Sequence, residues 1–225
     1  MDSIIEQSST KMEVVDSGLS NVYLRLYDLN GYKAITPTVT HLLSDEEQIK
    51  ADRFFKLIHK ERYILTRALT RIFLSEISGI SADSLQFTKS RFGKPILENE
   101  SIPFSISHSE NYLLLSAAER GNIGCDIESS NNIELSDVTE IAAKIASTKE
   151  MNRMIECDED ARKRYASNLW VKKEAWLKAI GLGFMAEPKK YCTESFEIVS
   201  PKAHLSRVYS NKVEPSLLMA LCHIA

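Results

Sequence analysis

The chain has 225 residues, 44% of them hydrophobic, with only 8 glycines and 6 prolines, and it carries a net charge of −3. This is an ordinary globular composition, with enough length for one large domain or two small ones. Between Lys50 and Arg71, seven basic residues against two acidic ones give a local net charge of +5. A cationic segment in an acidic chain indicates one polyanion site, because a nucleic-acid surface would need a broader basic face. A solvated helix face is the simpler alternative.

The N-terminus and the cysteines predict the cellular location of the protein. Residues 1–18 are polar and serine-rich without an apolar segment, and no run in the chain approaches the roughly 18 apolar residues of a membrane helix. We therefore expect neither secretion nor membrane insertion. The four cysteines lie far apart and lack zinc-type spacing, so we expect reduced thiols and a cytoplasmic location.

The first half of the chain begins with a predicted strand and two helices. Alternation over Val22–Tyr27 predicts a half-buried strand, and Gly31 to Thr40 is expected to be a loop. A capping box at Ser44 opens a helix. Helical spacing continues to Phe73 with a break near His59, which predicts two helices, or one bent helix, with the basic residues on the outer face.

Short strands follow these helices. Leu85–Phe87 is predicted as a strand, and Phe92–Pro95 as a turn that projects Lys94 from a stiff backbone. Two apolar runs, Ile102 to Ile106 and Tyr112 to Ala117, predict two strands joined by a polar connection. His108 would lie at the mouth of that hairpin, where either a functional or a structural histidine is possible.

The second half opens with Asn122–Glu128, a short strand pattern with two acids. Alternation puts Asp126 and Glu128 on one face, and the apolar residues of the run on the other. Two carboxylates on one surface suit Mg²⁺, which substrate phosphates usually complete. On these residues alone, an exposed strand edge with solvated acids is the simpler interpretation.

Helices and strands then repeat the order of the first half. Leu135 to Ile145 is predicted as a helix, Ser147 as the start of a second one reaching Glu156, and Ala161 to Ile180 as a long helix ended by Gly181. Three weakly alternating strands are expected in the tail: Tyr191 to Ile198, His204 to Val208 and Leu217 to Ile224. We predict an α+β fold of two similar subdomains related by a pseudo-twofold, residues 1–121 and 122–225.

Lys173 is anomalous on the long helix. On a helical wheel it falls inside the apolar arc that contains Leu169, Trp176 and Ile180. A lysine cannot stay unpaired in a dry core, so we expect it to reach solvent or a cleft that holds anions. Glu174 and Lys178 lie one turn apart on the flank of that arc, where an ordinary surface pair is the alternative.

Three segments taken together resemble a known family. They are Gly93-Lys94-Pro95 with Phe104-Ser105-Ile106-Ser107-His108-Ser109, then Ile123-Gly124-Cys125-Asp126-Ile127-Glu128, then Trp170 to Lys178 with Gly181-Leu182-Gly183. In this order and spacing they resemble the 4′-phosphopantetheinyl transferase superfamily, in its long, pseudo-dimeric class that activates surfactin synthetase and similar assembly lines. Such an enzyme moves the phosphopantetheine arm of coenzyme A onto a serine of an apo acyl or peptidyl carrier protein and releases adenosine 3′,5′-bisphosphate.

The resemblance also implies roles for individual residues. Asp126, Glu128 and Glu174 would bind Mg²⁺, with Asp126 and Glu174 counted among the catalytic residues. Glu174 would take the proton of the serine, directly or through water, and Lys178 would stabilise or protonate the departing phosphate. The coenzyme A anchors implied are Lys50, Arg53, Arg62, Lys94, Ser107, His108, Lys173 and Lys178. Glu47 stands where some relatives carry another base.

Partners and alternatives follow from the same resemblance. We expect a monomer that binds coenzyme A and a carrier protein, without nucleic acid or membrane, and residues 129–154, with Ile133, Val138 and Ile141, as the carrier-docking surface. The pathway that the carrier serves stays open. Two alternatives remain: a Mg²⁺-dependent hydrolase of a pyrophosphate-containing nucleotide, and a non-catalytic module that binds coenzyme A or a carrier protein.

Overall fold

The computed structural model describes residues 12–14, 19, 21–129, 135–193, 197–200, 203–214 and 217–224. In these ranges the chain forms strands β1 Met12–Val14, β2 Val22–Asp28, β3 Phe87–Lys89, β4 Pro95–Leu97, β5 Phe104–Ser109, β6 Tyr112–Ala118, β7 Asn122–Ser129, β8 Glu197–Ser200, β9 Ala203–Glu214 and β10 Leu217–Ile224. The helices are α1 Thr36–Val39, α2 Asp45–Asp52, α3 Leu57–Ser78, α4 Leu135–Ile145, α5 Thr148–Glu156 and α6 Glu159–Ile180. None of the helices described has the length and apolar character needed to cross a membrane.

Two four-stranded antiparallel sheets form the centre of the fold. The first has the order β1-β2-β6-β5, the second has the order β7-β10-β9-β8, and β3 pairs separately with β4. In the first half β2 lies beside β6, the last strand of that half, which lies beside β5, the penultimate one; in the second half β7, β10 and β9 have the same arrangement. The predicted α+β fold of two similar subdomains is therefore confirmed, while the exact boundary at residues 121 and 122 stays a prediction.

The helices repeat between the halves as well. Capping boxes begin α2 at Ser44 and α5 at Ser147, because each serine and the glutamate three residues later satisfy each other's backbone N–H group. The two 22-residue helices, α3 and α6, both end at a glycine in the left-handed conformation, Gly79 and Gly181. The predictions made from Ser44, Ser147 and Gly181 are confirmed.

Some boundaries differ from prediction. The expected loop from Gly31 to Thr40 is helical, with a 3-10 turn over Leu29–Ile35 followed by α1. The Asp28 side chain caps the turn by accepting the N–H of Asn30 at 3.0 Å. The elements are too short to show an amphipathic period in the sequence, which explains the wrong expectation.

Three further element boundaries also differ from the predicted ones. The break between α2 and α3 spans residues 53–56, ahead of His59. His108 lies within β5 and not in the connection, because β5 extends to Ser109. In the tail, residues 191–193 are not in a strand, and β8 begins at Glu197.

The basic residues of α3 do not all face outward, which corrects another expectation. Arg71 is 2% exposed, and its guanidinium donates to Glu47 at 2.9 Å and to the carbonyl oxygen of Leu85 at 2.5 Å. Arg67 pairs with the same carboxylate. Since burial of an unpaired charge is costly, Glu47 is the residue that allows Arg71 to enter the core.

One apolar cluster joins the two sheets. It combines Leu24 and Leu26 of β2 with Ile123, Cys125 and Ile127 of β7. The predicted alternation of β7 is confirmed, because these three residues pack in the cluster while Asp126 and Glu128 bind serine hydroxyls. All four cysteines have free thiols, as expected. The packing fixes the edge of the second subdomain against the first.

Candidate active site

Asp126 is the centre of a polar cluster between the two sheets. Its Oδ1 accepts hydrogen bonds from the Ser107 hydroxyl and from Lys178 Nζ, both at 2.7 Å. Lys178 Nζ also donates to Ser107 Oγ at 2.9 Å. Asp126 is 4% exposed, and its Oδ2 is buried without a hydrogen-bond partner among the described residues. A buried carboxylate oxygen without a partner is costly unless a ligand satisfies it.

Glu128 lies two residues further along the same face of β7. Its Oε2 accepts from the Ser109 hydroxyl at 3.1 Å, and its Oε1 accepts from Trp170 Nε1 at 3.4 Å. Burial raises the pKa of Glu128, and the negative charge of Asp126 raises this pKa further. The predicted position of both acids on one face is confirmed.

Glu174 on α6 brings a third carboxylate to this cluster. Burial raises the pKa of Glu174 first, then the charge of Asp126, and the charge of Glu128 adds to the same effect, while Lys178 opposes it. The three acids of the second subdomain therefore repel one another beside the seam between the subdomains. Such repulsion favours protons or cations in the space between them.

Gly124 explains how α6 comes so close to β7. A Cβ atom on Gly124 would lie 2.1 Å from the carbonyl oxygen of Ala175 and 2.3 Å from the backbone N of Ala179. Both neighbours are helix backbone and cannot turn aside. Only glycine permits this approach, which carries Glu174 and Lys178 over the β7 carboxylates. The sequence-based interpretation missed this requirement.

These side chains fit a divalent cation that a substrate would complete. Within the described residues, no group of three or more His, Cys, Asp or Glu side chains is arranged as a ready-made metal site. Mg²⁺ is usually held by one or two carboxylates and by substrate phosphates, so a preformed protein cage is not required. The unpartnered Asp126 Oδ2 and the raised pKa values of Glu128 and Glu174 agree with a place for added positive charge.

Lys94 connects the cluster to two neighbouring cavities. One has a volume of about 230 Å³ and is lined by Gly93, Pro95, Glu174 and Lys178 as well as Lys94. The other, of about 530 Å³, also includes Lys94 in its wall. Lys94 Nζ donates to the carbonyl oxygen of Ile123 at 2.8 Å, and burial lowers the pKa of Lys94 to about 8. Of the expected coenzyme A anchors, Lys94, Ser107 and Lys178 therefore lie at the cluster.

The remaining first-half anchors lie further out. Arg62 Nη2 donates to Asn111 Oδ1 at 2.5 Å, in the turn that follows Ser109. Lys50 lies over the ring of Tyr63, with Nζ 5.1 Å from the ring centroid. Arg53 caps the end of α2 and is exposed. His108 is also exposed, on β5.

Lys173 does not reach the cluster, which corrects the expectation that it faces solvent or an anion cleft. It is fully buried, and its Nζ lies 2.9 Å from Glu150 Oε2 and donates to the carbonyl oxygens of Pro188 and Tyr191. Glu150 also accepts from Thr193 Oγ1 at 2.8 Å. The lysine is inside the apolar arc because a buried acid on another helix compensates its charge.

Two residues of the cluster were missed as individual contributors. Ser109 and Trp170 each donate to Glu128, yet the sequence analysis quoted them only inside longer motifs. The alternating serines of Phe104–Ser109 are the signal that could have found Ser109, since alternate residues of a strand share a face. The fold and the cluster together define an α+β protein whose two halves build one acidic and basic site.

Comparisons with known proteins agree with this class. The family described as 4′-phosphopantetheinyl transferase superfamily matches residues 122–216, and the family described as 4′-phosphopantetheinyl transferase, N-terminal, matches residues 33–120. The chain is 27% identical to the 4′-phosphopantetheinyl transferase Sfp of Bacillus subtilis, over 80% of this chain and 81% of Sfp. It is 28% identical to the 4′-phosphopantetheinyl transferase HetI of Nostoc sp., over 63% of this chain and 60% of HetI.

The two family matches cover nearly all of residues 33–216. The chain belongs to the 4′-phosphopantetheinyl transferase superfamily. The expected enzyme class is thereby confirmed at the level of the family. The match to HetI spans about three fifths of the length of that relative.

Proposed function

We propose that this protein transfers the 4′-phosphopantetheine arm of coenzyme A to a serine of an apo acyl or peptidyl carrier protein and releases adenosine 3′,5′-bisphosphate. The observation that carries the proposal is the convergence of Asp126, Glu128 and Glu174 with Lys178 at the seam of the two subdomains. The names of the relatives support phosphopantetheinyl transfer in general. The substrate, the metal and the acceptor are our inference.

Asp126, Glu128 and Glu174 would hold Mg²⁺ together with oxygens of the coenzyme A pyrophosphate. When bound, Mg²⁺ would neutralise charge on the pyrophosphate and so make the phosphorus easier to attack. In the structure, Lys178 compensates part of the negative charge of Asp126. Its ammonium is one turn from Glu174 along α6, so it can stabilise the phosphate that leaves.

Glu174 is the proposed acceptor of the serine proton, directly or through one water. A base in this role needs a pKa nearer neutrality than that of a free carboxylate. Burial and the neighbouring acids raise the pKa of Glu174 in the cation-free protein, whereas bound Mg²⁺ would lower it, so the proposed role is carried by the position of Glu174 and not by its pKa. Glu174 also lines the cavity of about 230 Å³, so substrates can reach its carboxylate.

The nucleotide end of coenzyme A would bind to the first subdomain. Lys94 and Ser107 lie next to the carboxylates, and His108, Arg62, Lys50 and Arg53 would reach its phosphates from β5, α3 and the end of α2. Phosphate recognition by several cations explains the local basic segment in a chain that is acidic as a whole. Both halves of the site come from one chain, which is consistent with a monomer.

The carrier protein would dock against residues 129–154. Helices α4 and α5 provide most of this segment. Ile141 is half-buried, Ile133 lies outside the described residues, and Ile155 beside the segment is 65% exposed. A partner helix that presents its serine at the N-terminus would make apolar contacts with this segment.

The test is to incubate the protein with coenzyme A, Mg²⁺ and a panel of apo carrier proteins, and to measure the mass of each carrier. We expect at least one carrier to gain a single phosphopantetheine. Breakdown of coenzyme A without a carrier would instead favour a hydrolase. Tight binding of coenzyme A without modification of any carrier would favour a binding module and contradict the proposal.

A further inference from the structure

Three serines of β5 join the two sheets through their side chains. The hydroxyl oxygens of Ser105, Ser107 and Ser109 accept the backbone N–H groups of Cys125, Ile127 and Ser129, at 3.1, 3.3 and 3.1 Å. Each bond advances by two residues on both strands, because alternate side chains of β5 face β7. Backbone N–H groups along this edge of β7 are thus hydrogen-bonded to side chains of the other subdomain.

Two of the three serines also hold a carboxylate. A hydroxyl has one donor and two acceptor positions, so it can accept a backbone N–H and donate its own proton at the same time. Ser107 donates to Asp126 at 2.7 Å, and Ser109 donates to Glu128 at 3.1 Å. Ser105 has no carboxylate opposite it, since residue 124 is a glycine.

The two oxygens of Glu128 are held from opposite sides of the seam. Ser109 of the first subdomain donates to Oε2, and Trp170 of the second donates to Oε1. An ionised carboxylate has about four lone-pair positions, so each oxygen can still bind a cation. Without Ser109, the hydrogen bond left to the Glu128 side chain from the described part of the chain would be the weaker one from Trp170, at 3.4 Å.

We propose that Ser109 is a positioning residue, which orients the Glu128 carboxylate toward the cation site and so makes the first subdomain part of the metal geometry. The inference rests on the proposed function, because it assumes that Glu128 binds a divalent cation. Side chains that orient metal ligands change metal affinity by about 10- to 100-fold when they are removed. The role of Ser109 in Glu128 orientation is distinct from its bond to the backbone of Ser129.

The test is binding of Mn²⁺, which also prefers oxygen ligands, in the presence of coenzyme A and without a carrier protein. Free Mn²⁺ is measured by electron paramagnetic resonance. We expect Ser109→Ala to weaken Mn²⁺ binding by about 10-fold. Ser109→Thr keeps a hydroxyl and should bind Mn²⁺ nearly as the wild type does.

Ser105→Ala is the matched control, because it removes the same kind of bond to β7 without removing a carboxylate partner. It should lower the free energy of unfolding by no more than Ser109→Ala does, but leave the affinity for Mn²⁺ unchanged. Equal Mn²⁺ affinity in Ser109→Ala and the wild type would overturn this inference and leave the proposed function standing. So would equal weakening in both alanine variants. A wild-type protein that binds no Mn²⁺ would contradict the proposed metal site as well.

Discussion

Lys173 and Lys178 lie five residues apart on α6 and belong to two different environments. Lys173 is fully buried against Glu150, while the Lys178 side chain is 29% exposed beside Asp126. Five residues turn a helix by about 140°, so the two lysines leave it on different sides. One side faces α5 and the chain around Pro188, and the other faces β7. Lysine therefore stabilises the fold in one region and supplies a positive charge to the candidate site in the other.

The largest effect on stability should come from the buried region. Lys173→Met leaves the Glu150 carboxylate buried without its cation, and leaves the carbonyl oxygen of Pro188 without this donor. Breaking a buried pair in this way costs about 3–5 kcal/mol in the free energy of unfolding, which urea denaturation measures. Lys144→Met is the control, because the Lys144–Glu140 pair is exposed and contributes little to stability. Equal losses in the two variants would contradict the structural role of Lys173.

Lys178→Ala should have the opposite profile. We expect the rate of phosphopantetheine transfer to fall by about 10²–10³-fold, the effect of removing one group that stabilises developing negative charge. The free energy of unfolding should fall by less than in Lys173→Met, since Lys178 is partly exposed and Ser107 still donates to Asp126. Lys189→Ala, at an exposed lysine outside the cluster, serves as the control for both measurements. A Lys178→Ala variant with the wild-type rate would remove Lys178 from the site.

Gly124→Ala tests whether the close approach of α6 to β7 is needed both for stability and for the candidate site. The new methyl group would meet the backbone of Ala175 and Ala179, so α6 must move. Overpacking of this kind costs about 1–3 kcal/mol of stability, and the transfer rate should fall as well, because Glu174 and Lys178 move with the helix.

Gly79→Ala provides a comparison for that variant. It strains a left-handed residue that has open space around it and lies at the end of α3. It should cost stability of about 1–2 kcal/mol without loss of transfer. If Gly124→Ala lowered stability while transfer stayed normal, the approach of α6 would not be what assembles the site.

The smallest effect is a dependence of stability on pH. The raised pKa of Glu174 means that the folded state binds its proton more tightly than the unfolded state does. The free energy of unfolding should therefore decrease as the pH rises from about 4.3, the ordinary pKa of a glutamate, through the raised native value. Glu174→Gln removes this contribution. The difference between wild type and variant, measured by urea denaturation at several pH values without divalent cations, should shrink toward acidic pH. A difference that does not change with pH would contradict the environment assigned to Glu174.

Much of the fold could be predicted from local signals. The serines at 44 and 147 start helices because each is followed by a glutamate that completes a capping box, and Gly181 ends α6 because glycine accepts a left-handed backbone. Leu135–Ile145 was predicted with its observed bounds. These features depend on residues within one or two turns of each other.

What could not be predicted depends on distant contacts. The helical wheel identified Lys173 as anomalous, but the partner Glu150 lies on another helix, 23 positions earlier in the chain. Gly124 is an ordinary glycine in the sequence, and only the position of α6 shows why it is needed. The acids of the candidate site were recognised by their spacing and by resemblance to the family. Their hydrogen bonds to Ser107 and Ser109 cross the seam between the subdomains, and the bond of Asp126 to Lys178 joins β7 to α6; both kinds of contact required the structure.

The most direct measurement of the central claim compares wild type with Glu174→Gln in a time course of carrier-protein mass, with coenzyme A and Mg²⁺ present. The substitution keeps the size of the side chain but removes its charge and its ability to accept the serine proton. We predict that the wild type adds one phosphopantetheine to the carrier, and that Glu174→Gln, folded and able to bind coenzyme A, adds none over the same period. Near-normal turnover in Glu174→Gln would contradict the assignment of Glu174 and the chemistry proposed for the whole cluster.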